Sequence, residues 1–256
     1  MNQPCYEFMQ GSYRLIDHEL GIECIDQWSY LELPEDLSGS IEGSLVSIQY
    51  FETGQINKLY STLRGVRNGQ AKYFSSNGSV IWEGFYKQGR LHGPSTYFGD
   101  RGQLLSKTWF FEGKKQAQAL FYSSSETLIQ SISYKEGQLH GAHLCFYDSG
   151  KKKSQMQYNQ GVLEGAVLLL FESGSIKRSC SFKQGAKDGY DRIFNQEGML
   201  LDEGCYENGI PVGLHRRFYP SGAMQEELFY ENGAVIKLKK WDGSGHLLQG
   251  QGHATI

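Results

Sequence analysis

Proline is scarce in this chain, at 5 in 256 residues, and so is any long apolar run. No stretch approaches the roughly 18 consecutive apolar residues that a membrane-spanning helix needs. Charge of one sign is not concentrated either. The net charge is -3 and the pI about 6.2. The longest basic run is Lys151-Lys152-Lys153, so the electrostatic footprint of a nucleic-acid or anionic-bilayer partner is missing. Cysteine is low and odd, at five (Cys5, Cys24, Cys145, Cys180, Cys205), with no Cys-x-x-Cys pair. That pattern excludes a disulfide frame and argues for free thiols in a reducing compartment. The opening residues, Met1 to Gln10, show no basic segment followed by an apolar run, so a cytoplasmic location is expected; a non-cleaved export signal would leave no such trace.

Glycine is abundant, at 32, and aromatic residues make up 13%. Glycine at this level without proline or low complexity means many tight turns, not disorder. Its spacing is periodic. Gly65, Gly89, Gly113, Gly137, Gly161, Gly185, Gly209 and Gly233 stand 24 residues apart. A second series is Gly54, Gly78, Gly102, Gly150, Gly174, Gly198 and Gly222, broken by Glu126. A third is Gly69, Gly93, Gly141, Gly165, Gly189 and Gly213, broken by Ala117 and Lys237. An aromatic precedes the first series by three residues (Tyr86, Phe110, Tyr134, Tyr158, Phe182, Tyr206, Tyr230), with Thr62 the exception, and an aliphatic follows the second by two, with Lys152 the exception. Self-similarity at a fixed period marks a repeat architecture.

Two strands per repeat account for the spacing. Val80 to Tyr86 reads as a strand, Gln88-Gly89 as a turn, Gly93 to Phe98 as a second strand and Asp100-Arg101-Gly102 as a second turn. The fold class that follows is all-β: about eight stacked 24-residue hairpins in a twisted antiparallel meander, each packing on its neighbours. Residues 1–42 read as an N-terminal cap with a degenerate entry repeat at Gly39 and Gly43, and short strands near Tyr13–Ile16, Ile22–Ile25 and Trp28–Leu33. The array is expected over 43–248, with Leu248 still in the aliphatic series, and 249–256 as a tail.

The stretch Tyr86-Lys87-Gln88-Gly89-Arg90-Leu91-His92-Gly93, followed by Tyr97-Phe98 and Gly102, resembles the MORN repeat. The bacterial variant of YwqK-type, antitoxin-labelled proteins is the nearest form. Tyr134-Lys135-Glu136-Gly137-Gln138-Leu139-His140-Gly141 and Phe182 to Gly189 match it as well. The resemblance implies a ribbon of hairpins serving as a protein-interaction or dimerisation module without catalytic activity, and some such arrays have been proposed to bind phospholipid.

Chemistry-bearing groups do not converge in the sequence. His92 and His140 occupy equivalent repeat positions and read as repeat variation, and His140 and His143 lack a nearby ligand set suited to zinc. Cys145 and Cys180, without a sequence-adjacent histidine, read as buried thiols. No phosphate-cradling or nucleophile-elbow motif occurs. No cofactor or metal is expected, and the chain reads as a non-enzymatic protein-interaction scaffold. Rival readings are a phospholipid-associating module, disfavoured by the charge, an antitoxin-like binding protein, and a glycan-binding repeat, disfavoured by only 4 Trp.

Period-two alternation collects Tyr73, Ile81, Phe85, Tyr97, Leu105, Trp109, Phe121 and Ile129 on the face opposite the repeat aromatics. Equivalent positions later in the chain hold Lys153, Gln155, Gln157, Lys177, Ser179 and Ser181. Tyr73, Phe85, Tyr97, Leu105, Trp109 and Phe121 are thus the candidate interaction patch, too broad to stay bare on a soluble monomer. Its cover is the N-terminal segment, a second copy or another protein; alternatively a one-residue slip exchanges the two faces.

Two measurements check this reading. Far-UV spectroscopy should show β structure with little helix and solution scattering an elongated particle; a compact profile, or over about a quarter helix, contradicts a repeat array. Ala117, Glu126 and Lys152 break the consensus within residues 114–152, so hydrogen exchange between residues 50 and 230 should be fastest there.

Overall fold

The computed structural model describes residues 5–9, 12–16, 31–32 and 44–252. Every described element is a strand or a connection; among the described residues there is no helix. The chain divides into two compact units, 1–128 with 133–138 and 129–132 with 139–256.

The first unit contains a small sheet, β1 (Cys5–Met9), β2 (Ser12–Ile16) and β3 (Leu31–Glu32), in the order β1-β2-β3. Expected strands near Ile22–Ile25, the start of Trp28–Leu33 and the entry repeat at Gly39 and Gly43 lie outside the described residues. The repeats follow as β4 (Ser44–Tyr50), β5 (Ile56–Leu63), β6 (Val66–Phe74), β7 (Val80–Lys87), β8 (Arg90–Phe98), β9 (Leu104–Phe111) and β10 (Lys114–Tyr122), each antiparallel to the one before. Strand β11 (Leu128–Lys135) is shared between the units. The second unit continues with β12 (Gln138–Phe146), β13 (Lys152–Asn159), β14 (Val162–Leu163), β15 (Gly165–Leu170), β16 (Ile176–Lys183), β17 (Ala186–Lys187), β18 (Gly189–Phe194), β19 (Leu200–Glu207), β20 (Ile210–Phe218), β21 (Met224–Glu231), β22 (Ala234–Trp241) and β23 (Leu247–Gly252). β14 and β15, like β17 and β18, are one strand interrupted at the residue before the third-series glycine, Glu164 and Asp188. The expected all-β hairpin meander is what each unit shows.

The glycine series are three backbone devices. Each first-series glycine closes a two-residue turn in which both residues have positive φ, as in Gln88 (φ 50) and Gly89 (φ 79). This type I′ geometry matches the right-handed strand twist, and glycine adopts it without the Cβ penalty. Each second-series position sits in a five-residue loop closed by two backbone bonds, Gly78 N–H to Ser75 O at 3.0 Å and Ser75 N–H to Ser79 O at 2.9 Å in the clearest case. The third series marks a bulge. Gly84 pairs Ser95 and Tyr86 pairs Leu91, so Phe85 alone faces His92, Gly93 and Pro94.

The consensus breaks do not dismantle these devices. Glu126 takes φ 60 and keeps both loop bonds, and its Oε1 accepts the Leu104 N–H at 3.1 Å. Ala117 takes φ 57 at the bulge. Both carry left-handed strain that glycine would not. Lys237 instead reduces the device: β22 has no left-handed residue there, its register shift skips only Ile236, and the following loop closes on Asp242 and His246, one residue early. Trp241 therefore pairs Leu247, making Leu247, not Leu248, the aliphatic of the last repeat, and β23 runs through Gly252, past the expected end of the array at 248.

Hairpins are also joined across repeats. Six turn glycines donate to the carbonyl 22 residues earlier, from Gly89 N–H to Arg67 O at 2.8 Å through Gly209 N–H to Lys187 O at 2.7 Å. The residue before the bulge glycine adds a side-chain acceptor. Asn68, Gln116, His140, Glu164 and Asp188 take the N–H of Gln88, Glu136, Gln160, Gln184 and Asn208. His140 is one member of this acceptor column.

The core of each unit is narrow. In the first, direct pairing aligns Tyr60, Ala71, Gly84, Ser95, Thr108 and Ala119 across the sheet. The Trp82 indole covers Gly84, packs against Tyr73 with ring centroids 4.5 Å apart and planes tilted by 41°, and donates from Nε1 to Ser95 Oγ at 2.8 Å. A Cβ on Gly84 would stand 2.5 Å from that ring. We expect Gly84→Ala to destabilise the first unit by about 1–3 kcal/mol, and Ala117→Gly to stabilise it by about 1 kcal/mol. Denaturant midpoints check both; equal midpoints for all three chains contradict this packing.

Candidate functional site

The register splits the expected patch between two faces. Tyr73 pairs Trp82, Trp82 pairs Tyr97, Tyr97 pairs Ser106 and Ser106 pairs Phe121. Tyr73, Tyr97 and Phe121 therefore share the face of the buried Trp82. Phe85 and Trp109 stand three residues along from Trp82 and Ser106, hence on the opposite face. Ile81 and Leu105 are bulged out of the pairing: Phe74 pairs Val80 while Tyr73 pairs Trp82, and Phe98 pairs Leu104 while Tyr97 pairs Ser106. One extra residue after each five-residue loop is the physical cause. Without it, Tyr73 would stand opposite Ile81. The six residues consequently do not form one surface. Tyr97 is 54% exposed, whereas Trp109 is 5% exposed.

In the second unit the face that carries Phe85 and Trp109 in the first is buried at Leu144, 5% exposed, and opens along the later strands. Tyr190 is 54% exposed, with the Arg192 guanidinium 4.5 Å over its ring, and Phe229 is exposed beneath Lys237. Between them runs a cross-strand ladder of alternating charge. Glu203 bonds Arg192 and Arg216, both at 3.3 Å, and Arg216 reaches Glu227 at 3.8 Å. The other face carries a parallel ladder: Asp202 to Arg217 at 3.1 Å, Arg217 to Glu226 at 3.5 Å, and Glu226 to Lys240 at 2.9 Å. Partly solvated pairs of this kind contribute about 0–1 kcal/mol each. They fix side-chain direction more than stability. The sequence held the signal, since opposite charges recur at positions that pair directly, but only the bulged register reveals it.

Two polar groups are drawn inward. Asp191 accepts from Arg178 Nε at 2.8 Å and Nη2 at 2.6 Å, and from Lys187, whose ammonium also lies 4.7 Å over the Tyr206 ring. Burial pushes the Asp191 carboxyl up, but the hydrogen bonds and charges of Arg178 and Lys187 outweigh it and hold the group below its ordinary value. Cys180, 6% exposed, is a buried thiol whose pKa burial raises, with Asp191 adding to the rise. Cys145 departs from expectation. Its Sγ lies 3.7 Å from His143 Nε2, which also contacts Gln130 Nε2 at 2.8 Å. Residues two apart on a strand share a face, so the histidine was adjacent in space. Burial lowers the His143 pKa. Among the described residues, no group of three or more His, Cys, Asp and Glu side chains could hold a metal ion. No described helix is long and apolar enough to cross a membrane, which says nothing of spanning by strands.

This geometry defines a class: an antiparallel array of 24-residue hairpin repeats. The family described as "MORN repeat variant" matches residues 139–160 and 211–232, each a bulged strand, its five-residue loop and the following strand. The chain is thus similar to that family over two of its repeats. No curated protein matches. Among solved structures, the crystal structure of TcdB2-TccC3 is similar at 11% identity and TM-score 0.16, covering 77% of this chain and 13% of that one. The Tc holotoxin pore of Photorhabdus luminescens, with its TccC3-D651A mutation, matches at 13% identity and TM-score 0.17 with the same coverages. TcdB2-TccC3-Cdc42 matches at 12% identity and TM-score 0.16, again covering 77% and 13%. This chain spans about an eighth of those chains, and at such TM-scores the likeness carries no argument.

The low Asp191 pKa has a consequence for acid stability. A carboxylate whose folded pKa is depressed contributes stability that is fully present above its unfolded value, near 4, and is lost as pH falls through the lower folded value. Hydrogen exchange of β16 and β18 should accelerate below about pH 4 in the wild type, and Asp191→Asn should flatten that dependence while weakening the pair of strands by about 1–2 kcal/mol at neutral pH. An unchanged acid profile in the variant removes Asp191 from this role.

Proposed function

We propose that this chain is a non-catalytic scaffold that binds another protein, or a second copy of itself, through the open face of its second unit, in a cytoplasmic setting. The observation supporting this reading is the exposure of Tyr190 and Phe229 on either side of the Arg192–Glu203–Arg216–Glu227 ladder. Turn glycines, bulges and cross-repeat bonds hold the frame, so these face positions vary without cost to the fold. Aromatic and arginine side chains are the groups that anchor protein interfaces, and aligned charges select the partner. The MORN-like repeats support a repeat-based binding module in general.

The test uses the full chain, immobilised, against the soluble proteins of its source cell, with solution mass measured in parallel. A retained protein or a self-associated mass is expected, with Tyr190→Ser plus Phe229→Ser weakening either by at least about tenfold. Undiminished binding by that variant, or binding only to anionic liposomes in a salt-sensitive way, overturns the proposal; the second result establishes the phospholipid reading instead.

A further inference from the structure

Four neighbouring strands of the second unit carry a charge pattern that is its own complement when its ends are exchanged. Direct pairing sets Arg192 of β18 beside Glu203 of β19, Glu203 beside Arg216 of β20, and Arg216 beside Glu227 of β21, all on one face. The order across the sheet is plus, minus, plus, minus. The Arg192 and Arg216 side chains are 44% and 38% exposed, so the ladder is open to a partner.

An apolar row flanks the ladder. Tyr190 stands two residues before Arg192 on β18 and pairs Cys205; Phe229 stands two residues after Glu227 on β21 and pairs Leu214. β18 and β21 run in opposite directions, so both steps lead to the same side of the ladder. The two exposed rings therefore sit at the ends of one row, one beside the first charge and the other beside the last.

Such a face fits a second copy of itself in one orientation. A two-fold axis lying in the interface, parallel to the strands and between β19 and β20, brings β18 over β21 of the second copy and β19 over its β20. Arg192 then faces Glu227, Glu203 faces Arg216 and Tyr190 faces Phe229, each contact occurring twice. An axis along the ladder would instead set every charge against itself. An axis between β20 and β21 would carry Tyr190 over β23, away from Phe229. The opposite face also bears an alternating ladder, but the row beside it holds Asp191, Gly204, His215 and Leu228, and the His215 ring is laid over Gly204.

We propose that the chain forms an isologous dimer in which β18 to β21 of two copies pack face to face about this axis. The inference rests on the open face being a binding surface and names a second copy as its occupant. The two sheets keep their strands aligned, which is a common way for sheet faces to pack, and a two-fold contact closes on itself. Four strands span about 19 Å. The buried area is then on the order of 1,000 Å² in total, the low end for a specific interface, and the expected dissociation constant is micromolar.

Sedimentation equilibrium of the full chain between about 1 and 100 µM tests this, with the mass expected to rise from one chain to two. Arg192→Glu or Glu227→Arg alone should weaken the dimer by about tenfold or more, because each sets like charges face to face twice. Mixed in equal amounts, the two variants should pair with each other, since every opposed charge is again of opposite sign. The doubly exchanged chain, Arg192→Glu with Glu227→Arg, should regain the dimer by itself. Arg217→Glu, on the other face, should leave the mass unchanged. A chain that stays monomeric throughout, a mixture no better than its parts, or a dimer weakened by Arg217→Glu instead overturns the proposal. A monomer that still retains another protein through Tyr190 and Phe229 overturns this inference and leaves the binding face standing, whereas a monomer that retains nothing removes both.

Discussion

Left-handed backbone at three places per repeat is the constraint on which this structure depends. The type I′ turn sets how two strands of a hairpin twist, the loop sets how hairpins succeed one another, and the bulge sets where each strand bends. Side chains then fall into columns whose identity the backbone no longer dictates. This is why Ala71, Ser95, Ala119, His143, Val167, Asp191 and His215 stand at equivalent places with unrelated chemistry. A turn of two positive-φ residues leaves its first N–H pointing out of the hairpin, and at five turns the acceptor column ahead of the bulge satisfies that group from the preceding repeat.

The repeat sheet of each unit has two faces and little depth, so each face is stabilised by economical means. On one face it lays rings along the strands: Trp82 covers Gly84, and the His215 ring covers Gly204 while meeting the tilted Tyr230 ring at 4.5 Å. On the other it uses ladders of charge in the second unit and dense burial in the first. Asp191 shows the limit of this scheme, since a carboxylate in the central column is tolerated only with Arg178 and Lys187 both bonded to it.

The 24-residue period, the strand content, the turns and the MORN-like character were legible in the sequence, because glycines needed for positive φ recur at fixed spacing. The division of side chains between faces was not. Alternation counted through a bulge comes out inverted, and one extra residue at Ile81 or Leu105 sufficed to place Tyr73 and Tyr97 with Trp82 and apart from Trp109. Two signals were present but unread. Asn68, Gln116, His140, Glu164 and Asp188 share only the capacity to accept a hydrogen bond, which an apolar-pattern reading discards. Cys145 and His143 are adjacent only once a strand is assumed.

The last repeat shows what a change in step does to such an array. With Lys237 in place of a bulge glycine, the strand skips one residue fewer at its register shift and the next loop arrives one residue early. A further copy appended after it would begin out of phase: its turn N–H groups would miss the carbonyls and acceptors that the internal repeats offer their successors. Duplication or deletion of a whole internal repeat, by contrast, conserves both partners of every such bond. The array can thus grow or shrink in evolution by whole hairpins from within, while its final hairpin acts as a stop.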